Sequence, residues 1–269
     1  MTLPTNETPG APARRRPRFR MAHVREVQRL TPRMVRITFG GDDLDGFESP
    51  AATQHVKLIV PEPGESGPVL PDPSAPRGAA APDGRRPLMR TFTVRRFTPD
   101  RAELQIDFAL HGEGPASQWA EHATPDTSVA VAGPGGRRYE VDPSAHHFLL
   151  AGDATALPAI GTLLEALPAG ARADVYAEVE DAAEELEWRS AADVRVSWIQ
   201  PGAGLLSVFS GVAPAQSPDR VWVACEAARM RRIRDVVLND WHIAPDQLVT
   251  RGYWKLGESN YPDHDYGLD

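Results

Sequence analysis

The chain has 269 residues, 41% hydrophobic and 25% charged, with a formal net charge of −8. That length suits one large domain or two ordinary ones, and the acidic balance argues against a nucleic-acid partner, which would need a basic face. The single cysteine, Cys225, excludes an internal disulfide and suits a reducing compartment; with no apolar N-terminal core and no run of about 18 apolar residues, the expectation is a cytoplasmic protein without stable membrane association.

Residues 1–16 are polar and proline-rich and read as a disordered tail. A first domain, 17–143, follows with short alternating strands. In RMVRITF (33–39), Val35, Ile37 and Phe39 alternate with Arg36 and Thr38. In QHVKLIV (54–60), Val56, Leu58 and Val60 flank Lys57. AELQIDFAL (102–110) sets Leu104, Ile106, Phe108 and Leu110 on one face. A period of two marks half-buried antiparallel strands, and several of them between Pro/Gly turns predict a six-stranded antiparallel barrel. The stretch 61–87 is too rich in proline and glycine for regular structure and reads as a mobile excursion. PLMRTFTVRRF (87–97) is unusual, because arginines flank a strand-like run of Thr, Phe, Thr and Val. DFALHGEGPASQWAEHA (107–123) offers Gly112 and Gly114 in a loop and Pro115 at a helix start. Ser117 and the free amides there could cradle an anion; an ordinary helix start with Trp119 packed inward explains the same residues.

The pattern changes near residue 145. HFLLAG (147–152) is a continuous apolar strand, and TALPAIGTLLEAL (155–167) a helix. ADVYAEVE (173–180), VRVSWIQ (194–200) and VWVACE (221–226) are further strands, and AARMRRIRDVVLND (227–240) a helix. Continuous apolar strands separated by helices predict a doubly wound parallel α/β domain over 145–260, followed by a short tail, 261–269. Ligands bind such sheets at the carboxyl ends of the strands. Two loops there stand out: Gly152–Asp153 before a helix, and Cys225–Glu226. Taken alone, the first reads as a capped turn and Cys225 as a small buried hydrophobe.

Together, MRTFTVRRF, DFALHGEGPASQWA, GDATALPAIG and GYWKLGE resemble, in order, the motifs of the siderophore-interacting proteins. These are FAD-dependent ferric-siderophore reductases with a ferredoxin-reductase-like fold. The resemblance spans residues 18 to 258. It implies that the first domain binds FAD and the second a nicotinamide nucleotide. On the flavin side, Arg90 would grip a phosphate, Thr91 and Phe92 would line the flavin, and Thr93 would lie near its N5 atom. Asp107, His111, Gly114, Ala116 and Ser117 would complete that side. Gly152, Asp153, Thr155, Ala156, Cys225, Glu226 and Trp254 would surround the nicotinamide. Lys57, Lys255 and Arg251 match the basic positions that receive an anionic ferric siderophore. The chain departs from the family pattern at Ala154, where glutamate is common, and at Cys225, where glycine is frequent.

Glu178 and Glu180, in the YAEVED segment (176–181), lie at the end of the second parallel strand. Carboxylates there suit ribose hydroxyls and repel a 2′-phosphate, which favours NADH over NADPH. No CxxC, HxH or HExxH set occurs, so no resident metal is expected; the iron arrives inside its chelator. A monomer is expected. A general flavin or quinone reductase and a non-catalytic siderophore-binding module remain alternatives.

Overall fold

A computed structural model describes residues 18–48, 50–72, 80–112, 114–136, 139–200, 204–210, 216–262 and 265–267. The expected tail 1–16, residues 73–79 of the 61–87 excursion, and 263–264 and 268–269 of the C-terminal tail lie outside them. The described parts of 61–87 before strand β4 contain neither helix nor strand.

The N-terminal half is one antiparallel sheet. Its strands are β1 (Phe19–Thr31), β2 (Met34–Gly40), β3 (His55–Val60), β4 (Leu88–Thr93), β5 (Arg96–Thr98), β6 (Glu103–Ala109) and β7 (Ser128–Gly135), in the order β4-β3-β7-β1-β2-β6-β5. A three-residue edge strand, β5, thus extends the expected set of six. The alternation seen in the sequence decides which face is buried: Val35, Ile37 and Phe39 of β2 and Leu104, Ile106 and Phe108 of β6 are all 0–1% exposed. Each large apolar side chain removed from water contributes roughly 1.5–3 kcal/mol. The sheet curls around this interior, so that Phe92 of β4 meets Phe108 of β6 with ring centroids 4.5 Å apart. The short helix α1 (Pro115–Glu121) caps one end, with Trp119 stacked on Phe39.

The C-terminal half is a five-stranded parallel sheet. Its elements are β8 (His147–Gly152), α2 (Leu157–Ala166), β9 (Arg172–Glu178), β10 (Asp193–Ile199), α3 (Gly204–Phe209), β11 (Arg220–Glu226), α4 (Ala227–Asp235) and β12 (Leu248–Trp254), and its strand order is β10-β9-β8-β11-β12. Both faces are covered, which is why β8 and β11 read as continuous apolar runs. Phe148 and Leu150 pack on the α2 face, whereas Leu149, Ala151 and Cys225 pack on the α3–α4 face. The sheet winding reverses between β8 and β11, which opens a crevice at their carboxyl ends.

Several contacts lock the halves together. Met34 of β2 is buried in the α2-side core. Arg95 forks onto Glu165 of α2 at 2.6 and 3.1 Å. Glu184, in the turn after β9, accepts from the Thr31 hydroxyl at 2.6 Å and the Arg33 N–H at 3.0 Å. The arginines of the 87–97 motif are therefore divided, with Arg90 on the cleft described next and Arg95 on the domain junction.

Candidate functional site

A cleft of about 830 Å³ lies between the two sheets. From the barrel side come Arg90, Thr91 and Phe92 at the end of β4, His111, and Gly114, Ala116 and Ser117 at the start of α1. From the α/β side come Asp153 and Thr155 after β8, Glu178 at the end of β9 and Glu180 just beyond it, Arg229 of α4, and Trp254 and Lys255 at the end of β12.

Arg90 is half-buried here. Its Nη1 donates to the Met89 carbonyl at 2.9 Å, and no carboxylate among the described residues forms an ion pair with it. Burial pushes its pKa down from the usual arginine value, with Glu62 opposing weakly. A desolvated guanidinium without a counter-ion is a site for an anion. At α1, no side chain caps the helix, so the N–H groups of Ala116 and Ser117 open onto the same cleft. A Cβ on Gly114 would meet the exposed His111 ring, which would have to swing aside, so glycine lets that ring lie against the loop. Ser117 is buried and its Oγ accepts from the His111 N–H at 3.0 Å, which fixes this loop.

Asp153 organises the opposite wall. Its Oδ1 accepts from the N–H and hydroxyl of Thr155 at 3.1 and 2.6 Å. Its Oδ2 accepts from the Glu226 N–H at 3.0 Å and from Trp254 Nε1 at 2.9 Å. One carboxylate thereby ties the ends of β8, β11 and β12 together. Burial and the nearby Glu178 charge push its pKa up, and the hydrogen bonds from Thr155 and Trp254 pull it back. Tyr253 crosses to the barrel beside the Thr93 hydroxyl. Burial pushes its phenol up to about 12 against the Thr93 hydrogen bond, so it stays neutral.

Several expected site residues face elsewhere. Asp107 points away from the cleft, since strand alternation turns it opposite to Phe108. It is bound by Arg36 through Nε at 2.6 Å and Nη2 at 2.8 Å, in a second, polar cavity that also contains Arg95 and Glu165. Cys225 is fully buried in the α3–α4 core, where burial pushes its thiol up; the simple hydrophobe reading describes its side chain. Glu226 caps α4, accepting from the Arg229 N–H at 2.9 Å. Gly152 is a packing glycine: a Cβ would lie 2.5 Å from the Ala156 Cβ and 2.8 Å from the Ala224 carbonyl. Thr93 is not part of the cleft lining. Lys57 Nζ donates to the Thr91 hydroxyl at 2.7 Å, behind that lining. Arg251 stacks on Tyr266 at 4.3 Å and donates to the Thr250 carbonyl, outside the cleft. Lys255 lines the cleft but pairs with Glu258 of the same turn.

Sequence reading missed Arg33, Glu184, Tyr253 and the segment Gly257–Tyr261, all of which line the cleft. Tyr253, Gly257 and Glu258 lay in the GYWKLGE motif, though none was read as a site residue; Arg33, Glu184 and Ser259–Tyr261 lay outside the four motifs.

Two family models match the chain. One, described as the siderophore-interacting FAD-binding domain, covers residues 23–138; the other, described as siderophore-interacting protein, covers 145–257. The ferric vibriobactin reductase of Vibrio cholerae is 28% identical over 261 residues, 89% of this chain and 95% of that protein. The NADPH-dependent ferric-chelate reductase of Escherichia coli is 37% identical over 164 residues, 60% of this chain and 63% of that protein. The crystal structure of a siderophore utilization protein from T. fusca superposes with a TM-score of 0.81 at 32% identity, covering 92% of this chain and 97% of that one.

Proposed function

The chain belongs to the siderophore-interacting protein family, and from that premise we propose that it is an FAD-dependent reductase passing electrons from a reduced nicotinamide nucleotide to the ferric iron of a siderophore. The observation that carries this reading is Arg90: a half-buried cation without an acidic partner among the described residues, on a cleft that both sheets line.

The cleft fits FAD. Arg90 and the amides of Ala116 and Ser117 would hold the pyrophosphate. Thr91 and Phe92 supply a polar and an apolar surface for the flavin, and Thr93 is proposed as the nearby hydroxyl, its orientation set by Tyr253. Bound FAD supplies the conversion between a two-electron hydride donor and a one-electron acceptor such as iron(III).

The protein's residues bind and orient. Asp153 holds Thr155 and Trp254 as one rigid wall for the nicotinamide nucleotide. Lys255 at the cleft mouth, with Lys57 behind Thr91, supplies positive charge toward an anionic ferric siderophore. Iron(II) is held more weakly by hard oxygen ligands than iron(III), so reduction releases the metal. The NADH preference expected from the sequence would need free carboxylates after β9; Glu180 is exposed there, whereas both Glu178 oxygens are already engaged.

The test is to purify the protein, record its flavin absorbance, and follow anaerobic nucleotide oxidation with a chromogenic Fe(II) chelator present. Bound flavin and Fe(II) formation from a ferric siderophore are expected. Protein that neither carries nor takes up FAD would instead be a siderophore-binding module. Turnover of quinones at rates far above ferric chelates would make it a general reductase.

A further inference from the structure

The end of β9 carries an ion pair whose two halves are used unequally. Glu178 accepts from the Leu205 N–H at the start of α3 through Oε2 at 2.5 Å. Its Oε1 meets Arg229 Nη1, also at 2.5 Å. Arg229 comes from the first turn of α4, after β11. With strand order β9-β8-β11, it must reach across the end of β8 to make that contact. The guanidinium therefore spans the crevice at the winding reversal. Both residues line the cleft, with 32% of the Arg229 side chain and 18% of the Glu178 side chain exposed.

Each Glu178 oxygen already has a donor. A guanidinium carries five N–H donors; among the described residues, Glu178 is the one acceptor for the Arg229 side chain. The pair is neutral in sum, but it offers donors to a ligand rather than acceptors. That arrangement is unsuited to gripping ribose hydroxyls through a carboxylate. It suits an anion, which a guanidinium fork receives through two parallel hydrogen bonds.

Position identifies the anion. In a sheet of this order, the carboxyl end of the second strand lies beside the adenosine ribose of a bound dinucleotide, and the loop after the first strand lies beside its pyrophosphate. Asp153 and Thr155 occupy the loop after β8; Arg229 is anchored at the end of β9. We infer that Arg229, held there by Glu178, receives the 2′-phosphate of a phosphorylated nicotinamide nucleotide, so that the chain selects NADPH over NADH. The inference rests on the reading of this cleft as the nicotinamide site. Glu180, also on the lining, opposes it. Its side chain is exposed, where repulsion is screened; the Arg229 contact is half-buried and direct, so it prevails.

The test is calorimetric titration of the FAD-loaded protein with NADP⁺ and NAD⁺, and with adenosine 2′,5′-bisphosphate and 5′-AMP. The wild type is expected to bind the 2′-phosphorylated member of each pair roughly 10-fold or more tightly, the strength of a charge-assisted hydrogen bond. Arg229→Gln is expected to bring NADP⁺ down to the NAD⁺ level and leave NAD⁺ unchanged, and Arg229→Lys to keep part of the preference. Flavin content and Tm report on folding; should the Gln variant be unfolded, the Lys variant and the wild-type ratio decide. Equal affinities in the wild type, tighter NAD⁺, or an equal loss for both nucleotides in Arg229→Gln would overturn the assignment. The last result would mark Arg229 as a pyrophosphate or structural contact. If no nucleotide binds, the reading of the cleft itself fails, a result distinct from binding without preference.

Discussion

Replacing Asp153 by asparagine tests whether a single carboxylate fastens the nucleotide wall. Four donors converge on it: the Thr155 N–H and hydroxyl on Oδ1, and the Glu226 N–H and Trp254 Nε1 on Oδ2. Asparagine fills the same volume but has one acceptor and one donor group. It will settle with its oxygen toward Glu226 and Trp254, because the Thr155 hydroxyl can then rotate and accept from the amide. That leaves one backbone donor, the Thr155 N–H, buried without an acceptor. An unsatisfied buried group costs about 1–3 kcal/mol. Alanine leaves three donors stranded at Thr155, Glu226 and Trp254, and the cost rises to roughly 3–9 kcal/mol by the same measure. At about 2–4 °C per kcal/mol for a chain of this size, Asp153→Asn should lower Tm by roughly 2–12 °C and Asp153→Ala by more. Thermal unfolding followed by circular dichroism reads the ranking, and nucleotide affinity should fall in the same order. An asparagine variant as stable as wild type, or an alanine variant no worse than asparagine, would refute the four-bond picture.

Arg90→Ala should weaken FAD affinity roughly 10- to 100-fold, the worth of a charge-assisted phosphate contact, as measured by flavin fluorescence on titration. Asp107→Asn should destabilise the fold by about 3 kcal/mol in urea melts, because it breaks a buried pair with Arg36, and should leave FAD affinity intact, since the carboxylate faces away from the cleft. Lys255→Ala should raise KM for an anionic ferric siderophore, whereas Arg251→Ala, whose side chain lies on Tyr266, should not; equal effects would return Arg251 to the substrate site. Burial pushes the Asp174 carboxyl up, but hydrogen bonds from Arg172 and His147 outweigh it and hold its pKa below the ordinary value. A depressed carboxylate stabilises the fold above its unfolded pKa, near 3.9, and that contribution is lost as pH falls through the lower folded value. The Tm gap between wild type and Asp174→Asn should therefore hold constant above about pH 4 and close below it.

The sequence by itself determined the architecture and the neighbourhood of the site. Strand alternation in 33–39 and 102–110 named the buried barrel face, and continuous apolar runs such as HFLLAG announced a sheet covered on both sides, because local period reports which faces meet water. The motifs located Arg90, the Gly114–Ser117 loop, Asp153 and Trp254, which the fold gathers around one cleft. Four strands had no such local signature: β1 carries polar residues along much of its length, β5 has three residues, the β7 pattern VAVAGPG ends in turn-like glycines, and β12, LVTRGYW, carries an arginine and a glycine mid-strand. Side-chain direction was the other loss. Asp107 and Phe108 are neighbours in sequence and serve different cavities, because successive strand residues face opposite ways. Cys225 sits in a loop motif, yet its thiol is turned into the α3–α4 core. Glu178 looked free in YAEVED. Only the tertiary structure brings Leu205 and Arg229, 27 and 51 residues further along the chain, onto its two oxygens. Partnerships at such separations depend on strand order and helix placement, which no local pattern encodes, and here they decide whether the end of β9 offers a ligand acceptors or donors.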